Sequence, residues 1–261
     1  MNRKSILITG AAGALGSAWA RSLRSTLPDS ELHLADINED KLKQIARETG
    51  AIRLIVGDIF EADSLAQNEV TLSNEDVVIW NAALNLDESE PASERLTSRN
   101  RQNVALQHRL HSLVHGTRQK LLILVNSVVT KFGKNPKTSG FLAAAAAEKN
   151  WHYGAMKVEQ SDMVELHDLA LKIAGVQNSI LYPGSFKSSF TKVEQALGLA
   201  NALGKKMKGY EEREDWKQPR AFESREITDA VAKLVYHWNQ HGTVPEKAKK
   251  WVMLNDEDLK L

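Results

Sequence analysis

T-G-A-A-G-A-L-G, residues 9–16, follows the apolar run S-I-L-I-T (5–9) and opens a helical pattern over 14–26. Strand, glycine turn and helix in immediate succession give glycine a purpose beyond turning the chain. Without a Cβ, the backbone can approach a pyrophosphate held at the positive N-terminus of the helix. Glycine spacing alone is weak evidence, because turns are rich in glycine; the strand before and the helix after supply the context. Twenty residues beyond Gly16, at the end of E-L-H-L-A-D (31–36), stands Asp36. A carboxylate there is placed to accept hydrogen bonds from adenosine ribose hydroxyls, to N-cap the helix that follows, or to do both.

Outward from this turn the chain keeps one rhythm. Strands are predicted at 31–36, 51–56, 76–80, 120–126 and 178–182, with a late one at 251–254. Between them lie helical patterns at 38–48, 62–69, 91–115, 144–174 and 225–238. Such alternation predicts an α/β fold: a doubly wound parallel sheet with helices on both faces. No internal repeat, linker or second hydrophobic pattern of domain size interrupts it, so a single domain over 1–261 is expected. Two stretches break the rhythm. Residues 131–150 are a Gly/Pro/Lys loop running into alanine-rich helix filler, and 188–222 is a mixed-charge stretch. By length and place after the sixth strand, 188–222 is a candidate lid over a substrate.

Composition narrows the function classes. The 261 residues are 42% hydrophobic, enough for a substantial core. Lys plus Arg number 34 against 33 Asp plus Glu, so neither a nucleic-acid surface nor a polybasic membrane anchor is indicated. Cysteine is absent, which excludes disulfides, thiolate metal sites and a Cys nucleophile, and suits a reducing compartment. Residues 1–20 have the basic start and apolar middle of a secretory signal, but three glycines weaken the helix such a signal needs. No apolar run approaches the roughly 20 residues that span a bilayer. The cytoplasm is the expected location.

Residues 151–157 read W-H-Y-G-A-M-K. On a helix, Tyr153 and Lys157 stand one above the other on a single face. A lysine ammonium one turn away favours the phenolate and brings a phenol, which titrates near pH 10 alone, toward the working pH of a general acid/base.

These motifs together resemble the short-chain dehydrogenase/reductase family. T-G-A-A-G-A-L-G at 9–16, G-D-I at 57–59, W-N-A-A at 80–83, N-V-A at 103–105, N-S-V-V at 126–129, Y-G-A-M-K at 153–157 and P-G-S-F-K-S at 183–188 run in the family's order. The resemblance implies NAD as cofactor, with Gly10, Ala12, Gly13, Ala14, Leu15 and Gly16 around its phosphates. It also implies that Asp58 and Ile59 flank the adenine, that Asn81 and Ala82 line the cleft, and that Pro183, Gly184 and Ser188 hold the nicotinamide end. Tyr153 and Lys157 also count as cofactor contacts, and with Ser127 and Asn103 they form the implied catalytic tetrad. A homodimer or homotetramer through the helices at 91–115 and 150–174 is implied as well.

The chain departs from the pattern in places. The spacing G-x-x-G-x-x-G and the 26 residues from Ser127 to Tyr153 are those of the longer, nucleotide-sugar branch, yet only 104 residues follow Lys157. Trp80 and Ala83 replace Asn and Gly of the usual N-N-A-G. Three functions follow as expectations: an NAD-dependent oxidoreductase for a secondary alcohol or ketone of a small molecule; a nucleotide-sugar epimerase or dehydratase with retained NAD; and a non-catalytic dinucleotide sensor, which would not need an acid/base pair. His108, His111 and His115 fall on one helical face, as do His237 and His241, but no carboxylate accompanies them, and no metal site is expected. Lys205, Lys206 and Lys208 are read as solvated, with an acidic substrate as the alternative.

Overall fold

K-L-L-I-L-V (120–125) is buried along its whole length, as a strand covered on both faces must be. Alternate residues take opposite sides: Leu121, Ile123 and Val125 join one hydrophobic cluster, Leu122 and Leu124 the other. The computed structural model describes residues 3–61, 74–83, 90–115, 119–127, 151–183, 222–253 and 256–261, with only the backbone of 92 and 151–154.

Seven strands form one sheet: β1 (Ser5–Thr9), β2 (Glu31–Asp36), β3 (Arg53–Val56), β4 (Val77–Trp80), β5 (Lys120–Val125), β6 (Val176–Pro183) and β7 (Lys250–Met253). Their spatial order is β3-β2-β1-β4-β5-β6-β7, and every pairing is parallel. Ile6 pairs with both Leu32 and Val77, which puts β1 between β2 and β4. The chain winds outward from β1 in one direction and then from β4 in the other. The crevice between the carboxyl ends of β1 and β4 is therefore the topological switch point, where such sheets bind ligands.

One face is covered by α1 (Ala14–Thr26), α2 (Glu39–Thr49) and a late helix, α5 (Ser224–His241). Trp19, Leu23, Leu42, Ile45, Val231 and Leu234 seal it against Ile6, Ile8 and Ile123. A buried polar seam joins α1 to α5, where Ser22 Oγ lies 2.9 Å from Thr228 Oγ1 and donates to Asp229 at 2.6 Å. The other face carries α3 (Ala92–Val114) and α4 (Trp151–Ile173), with Leu106, Leu110 and Val164 packed on Leu7, Val78 and Trp80.

Predicted and observed elements agree to within a few residues where the chain is described. The expected helix at 62–69, the loop at 131–150 and the lid at 188–221 lie outside the described residues. Phe222, the last residue of the 188–222 stretch read as a lid, is fully buried in the same hydrophobic cluster as Trp19, Leu23, Val231 and Leu234. A short helix α6 (Glu246–Lys249) and a 3-10 turn (Asp256–Leu259) were not expected; four residues are too few to show a hydrophobic period. Among the described residues no helix is long and apolar enough to cross a membrane.

Candidate cofactor and active site

At the switch point the backbone turns sharply after Thr9. Its hydroxyl donates to Ile79 O at 3.3 Å and accepts from the amides of Asn81 and Ala82 at 3.0 and 3.1 Å. Gly10 then takes φ +66°, and a Cβ there would stand 2.8 Å from Ala82 Cα. Only glycine suits both constraints. At Gly16 a Cβ would fall 2.0 Å from Gly10 O, so helix α1 packs onto the turn backbone to backbone. Asn81 closes the crevice from β4, its side-chain amide donating to the carbonyls of Thr9 and Gly10 at 3.2 and 3.3 Å.

Gly13 is the N-cap of α1. No side chain caps this helix, and its first turn, Ala14, Leu15 and Gly16 among it, holds no acid. Two other helices are capped by side chains, with Asn38 accepting from Lys41 N at the start of α2 and Glu223 and Glu226 forming a capping box on α5, while the helix from Ala92 begins after Pro91 without one. The positive end of α1 is thus left with unsatisfied amides facing the crevice, the arrangement that receives a phosphate.

Asp36 ends β2 beside this turn. Its Oδ2 accepts from Ala12 N at 2.9 Å and its Oδ1 from Asn38 N at 3.0 Å. The alternative role as N-cap of α2 is corrected, since Asn38 holds that position. Asp36 instead ties the glycine turn to β2, leaving its remaining lone pairs for a ligand's hydroxyls. After β3, Gly57 N donates to Asp36 O at 3.1 Å, Asp58 accepts from Phe60 N at 2.9 Å, and Ile59 is buried. Arg101 of α3 reaches Asp58 at 3.2 Å and also pairs with Glu61, so it orients the loop expected at the adenine.

Lys157 organises the second half of the site. It is 1% exposed, and its Nζ donates to Val125 O, the last carbonyl of β5, at 2.9 Å. Asn126 Nδ2 donates to Lys157 O at 2.7 Å, while Asn126 Oδ1 accepts from Ser127 N at 2.7 Å. One asparagine therefore sets the spacing between α4 and the segment bearing Ser127. Burial lowers the Lys157 pKa to about 8, because removing the ammonium from water disfavours its charge. Tyr153 stands one turn earlier in α4; its side chain lies outside the described residues. Pro183 ends β6, paired with Met253. Gly184 and Ser188 lie outside the described residues.

Asn103 is turned elsewhere. Its Nδ2 donates to Glu159 at 2.5 Å, and Glu159 also pairs with Arg99, whose guanidinium holds the carboxyl below its usual range. Glu159 and Lys157 are two apart on α4, and so on different faces. Sequence reading missed Arg101, Glu159 and the bridging role of Asn126. Only Asn126 had a signal, as the first residue of N-S-V-V; the others become partners by helix packing alone. Trp80, 1% exposed, fills the core edge-on to Phe60, with ring centroids 6.3 Å apart. Its replacement of asparagine thus serves packing on the α3 side of β4.

The family model described as NAD dependent epimerase/dehydratase family matches residues 6–182, β1 through the end of β6. The chain belongs to this family, within the short-chain dehydrogenases/reductases. Solved structures share its fold. The L-sorbose reductase of Gluconobacter frateurii, complexed with NADPH and L-sorbose, is 16% identical with a TM-score of 0.67, covering 100% of this chain and 98% of that one. BdcA, in complex with NADPH, is 16% identical with a TM-score of 0.65, covering 97% and 96%. A short-chain type dehydrogenase/reductase from Mycobacterium marinum is 17% identical with a TM-score of 0.64, covering 97% and 94%. No curated protein sequence matches. For a short-chain dehydrogenase/reductase the residues present fit a nicotinamide dinucleotide: an uncapped helix terminus for its phosphates and a carboxylate at the end of β2.

Proposed function

We propose that this protein is an NAD-dependent oxidoreductase interconverting a secondary alcohol and a ketone of a sugar, polyol or similar small hydroxy compound. The observation that carries the reading is Lys157. A fully buried lysine, fastened to the end of β5 beside Ser127 and one turn from Tyr153, has no packing rationale but suits a phenol that must lose and regain a proton. Gly10, Ala12, Gly13, Ala14, Leu15 and Gly16 would hold the cofactor's phosphates, with Asp36 at its ribose and Asp58, Ile59, Asn81 and Ala82 along the cleft. Pro183 would meet its nicotinamide end. The bound dinucleotide supplies the hydride acceptor or donor. Tyr153 takes the alcohol proton in oxidation and returns it in reduction. Lys157 would hold the phenolate by its charge and would contact the nicotinamide ribose. Ser127 donates to the substrate oxygen where charge develops. Asn103 has a positioning role through Glu159, its side-chain amide being engaged away from Lys157.

NAD is favoured over NADP by Asp36. Its carboxylate repels a 2′-phosphate, and its neighbour Ile37 is exposed and apolar, offering no cation. The epimerase/dehydratase reading stands second, supported by the family model and the glycine spacing; there the same groups oxidise a sugar transiently. Two further proposals concern the protein's surroundings. The exposed stripe Leu166, Leu169 and Ile173 on α4 supports self-association through α3 and α4, and the lack of cysteine supports a cytoplasmic location. The test is a panel of polyols, sugars and ketoses assayed with NAD and NADP at the reduced-nicotinamide absorbance band. Substrate-dependent change with NAD is expected. Conversion of a nucleotide sugar with no net change in that band identifies the epimerase instead.

A further inference from the structure

Among the described residues, several arginines drawn from water have partners. Arg21 meets Glu48, Arg99 meets Glu159, Arg101 meets Asp58 and Glu61, and Arg24 donates to main-chain carbonyls around Thr49 and Ser30. Arg109, in the second half of α3, is different. It is partly buried, its Nε is buried without an acceptor, and among the described residues no carboxylate pairs with it. Burial alone pushes its pKa down, with no anion opposing the shift. Arg101 also has a buried Nε, but its terminal nitrogens reach two carboxylates. An unpaired charge withdrawn from water is costly, and chains keep such groups where a ligand completes the pair.

Arg109 borders a cavity of about 290 Å³, together with Ile59, Phe60, Val104, Ala105, His108 and Ser112. Positions 104, 105, 108, 109 and 112 lie on one face of α3, so the helix forms one wall and Ile59 and Phe60 the other. The lining is divided. Arg109 and His108 offer the polar donors, while Ser112 Oγ already donates to His108 O at 3.1 Å. Ile59, Phe60, Val104 and Ala105 are apolar. A strongly hydrated ion such as phosphate would gain nothing from that apolar side. A carboxylate attached to an apolar body uses both, since its two oxygens match the guanidinium fork.

We propose that this cavity binds a small aryl or alkyl carboxylate, with Arg109 as its counter-ion and Ile59 and Phe60 against its apolar part. The site shares Ile59 with the cleft expected at the adenine but is otherwise lined by Phe60 and α3, and it does not depend on the oxidoreductase reading. Benzoate is the simplest probe. It would be titrated calorimetrically into the full chain with NAD saturating, and again without NAD, for the wild type, Arg109→Met and Arg109→Lys. One saturable site, indifferent to NAD, is expected, weakened by about tenfold or more in Arg109→Met and by less in Arg109→Lys. Without benzoate, Arg109→Met should unfold at the same or a higher temperature, because it removes an uncompensated charge. The proposal is overturned if the wild type shows no saturable binding or if Arg109→Met binds as well. Displacement of benzoate by NAD would assign the cavity to the cofactor site and overturn it too. So would a change of sedimentation in Arg109→Met, because the missing anion would then belong to a neighbouring subunit.

Discussion

The two halves of the site are built from different materials. Around the glycine turn the closest approaches are main chain against main chain, Gly10 against Ala82 and Gly16 against Gly10, and the uncharged side chains of Thr9 and Asn81 hydrogen-bond that backbone. Its one charged side chain, Asp36, serves the same end by holding the Ala12 amide. At the end of β5 the contacts are made by side chains, with Lys157 reaching Val125 O and Asn126 bridging α4 to Ser127. The first half should tolerate changes of chemistry better than changes of shape. The second should tolerate a preserved shape but not altered chemistry.

The sharpest test of that contrast is Tyr153→Phe. It keeps the ring and removes the exchangeable proton, so turnover should fall about 10²–10⁴-fold while dinucleotide affinity, read by calorimetry, stays near wild type. Near-normal turnover on the true substrate would sink the assignment. Asp36→Ala comes next. The wild type should prefer NAD over NADP by roughly tenfold to a thousandfold, a factor of ten being about 1.4 kcal/mol, and the variant should lose most of that ratio. Because Asp36 also holds Ala12 N, affinity for both dinucleotides should drop as well; an unchanged ratio refutes the ribose role.

Gly16→Ala probes shape alone. A methyl 2.0 Å from Gly10 O cannot be accommodated without moving α1 or the turn. Overpacking of this kind costs about 1–3 kcal/mol, visible as lower thermal stability together with weaker binding of either dinucleotide. A variant as stable as wild type would show the turn to be more pliant than these contacts allow.

The smallest effect is a pH dependence. The buried lysine is charged below its folded pKa of about 8 and neutral above it. Its ribose contact should weaken as pH rises through that value, giving a few-fold loss of NAD affinity that Lys157→Met does not share. Stability moves the other way. The unfolded lysine keeps its proton up to about 10.5, so between about 8 and 10.5 the unfolded state binds more protons, and the wild type gains stability relative to Lys157→Met as pH rises. Denaturant midpoints of the two proteins across this window would show parallel curves if Lys157 titrated alike in the folded and unfolded states.

Much of this molecule was legible before any coordinates. β1, α1 and β2 fall where the apolar runs and the glycine turn put them, because buried parallel strands are continuous apolar runs and glycine marks the turn between strand and helix. The spacing Y-x-x-x-K placed Tyr153 and Lys157 on one helical face, as helix geometry requires. What the sequence could not show is which side chains meet across elements. Asp36 might have capped α2; it binds Ala12 because β2 ends beside the glycine turn. Asn103 stood in the right motif, but the packing of α3 on α4 sets it against Glu159. Phe222 looked like the end of a charged loop and is core, because α5 carries it under the sheet. Arg109 reads as one more helix cation, and only the fold leaves it half-withdrawn from water with, among the described residues, no carboxylate paired to it. Local periodicity is written along the chain and survives any packing. Partnership between residues dozens of positions apart depends on the register of the strands and the docking of the helices, which exist only once the sheet has formed.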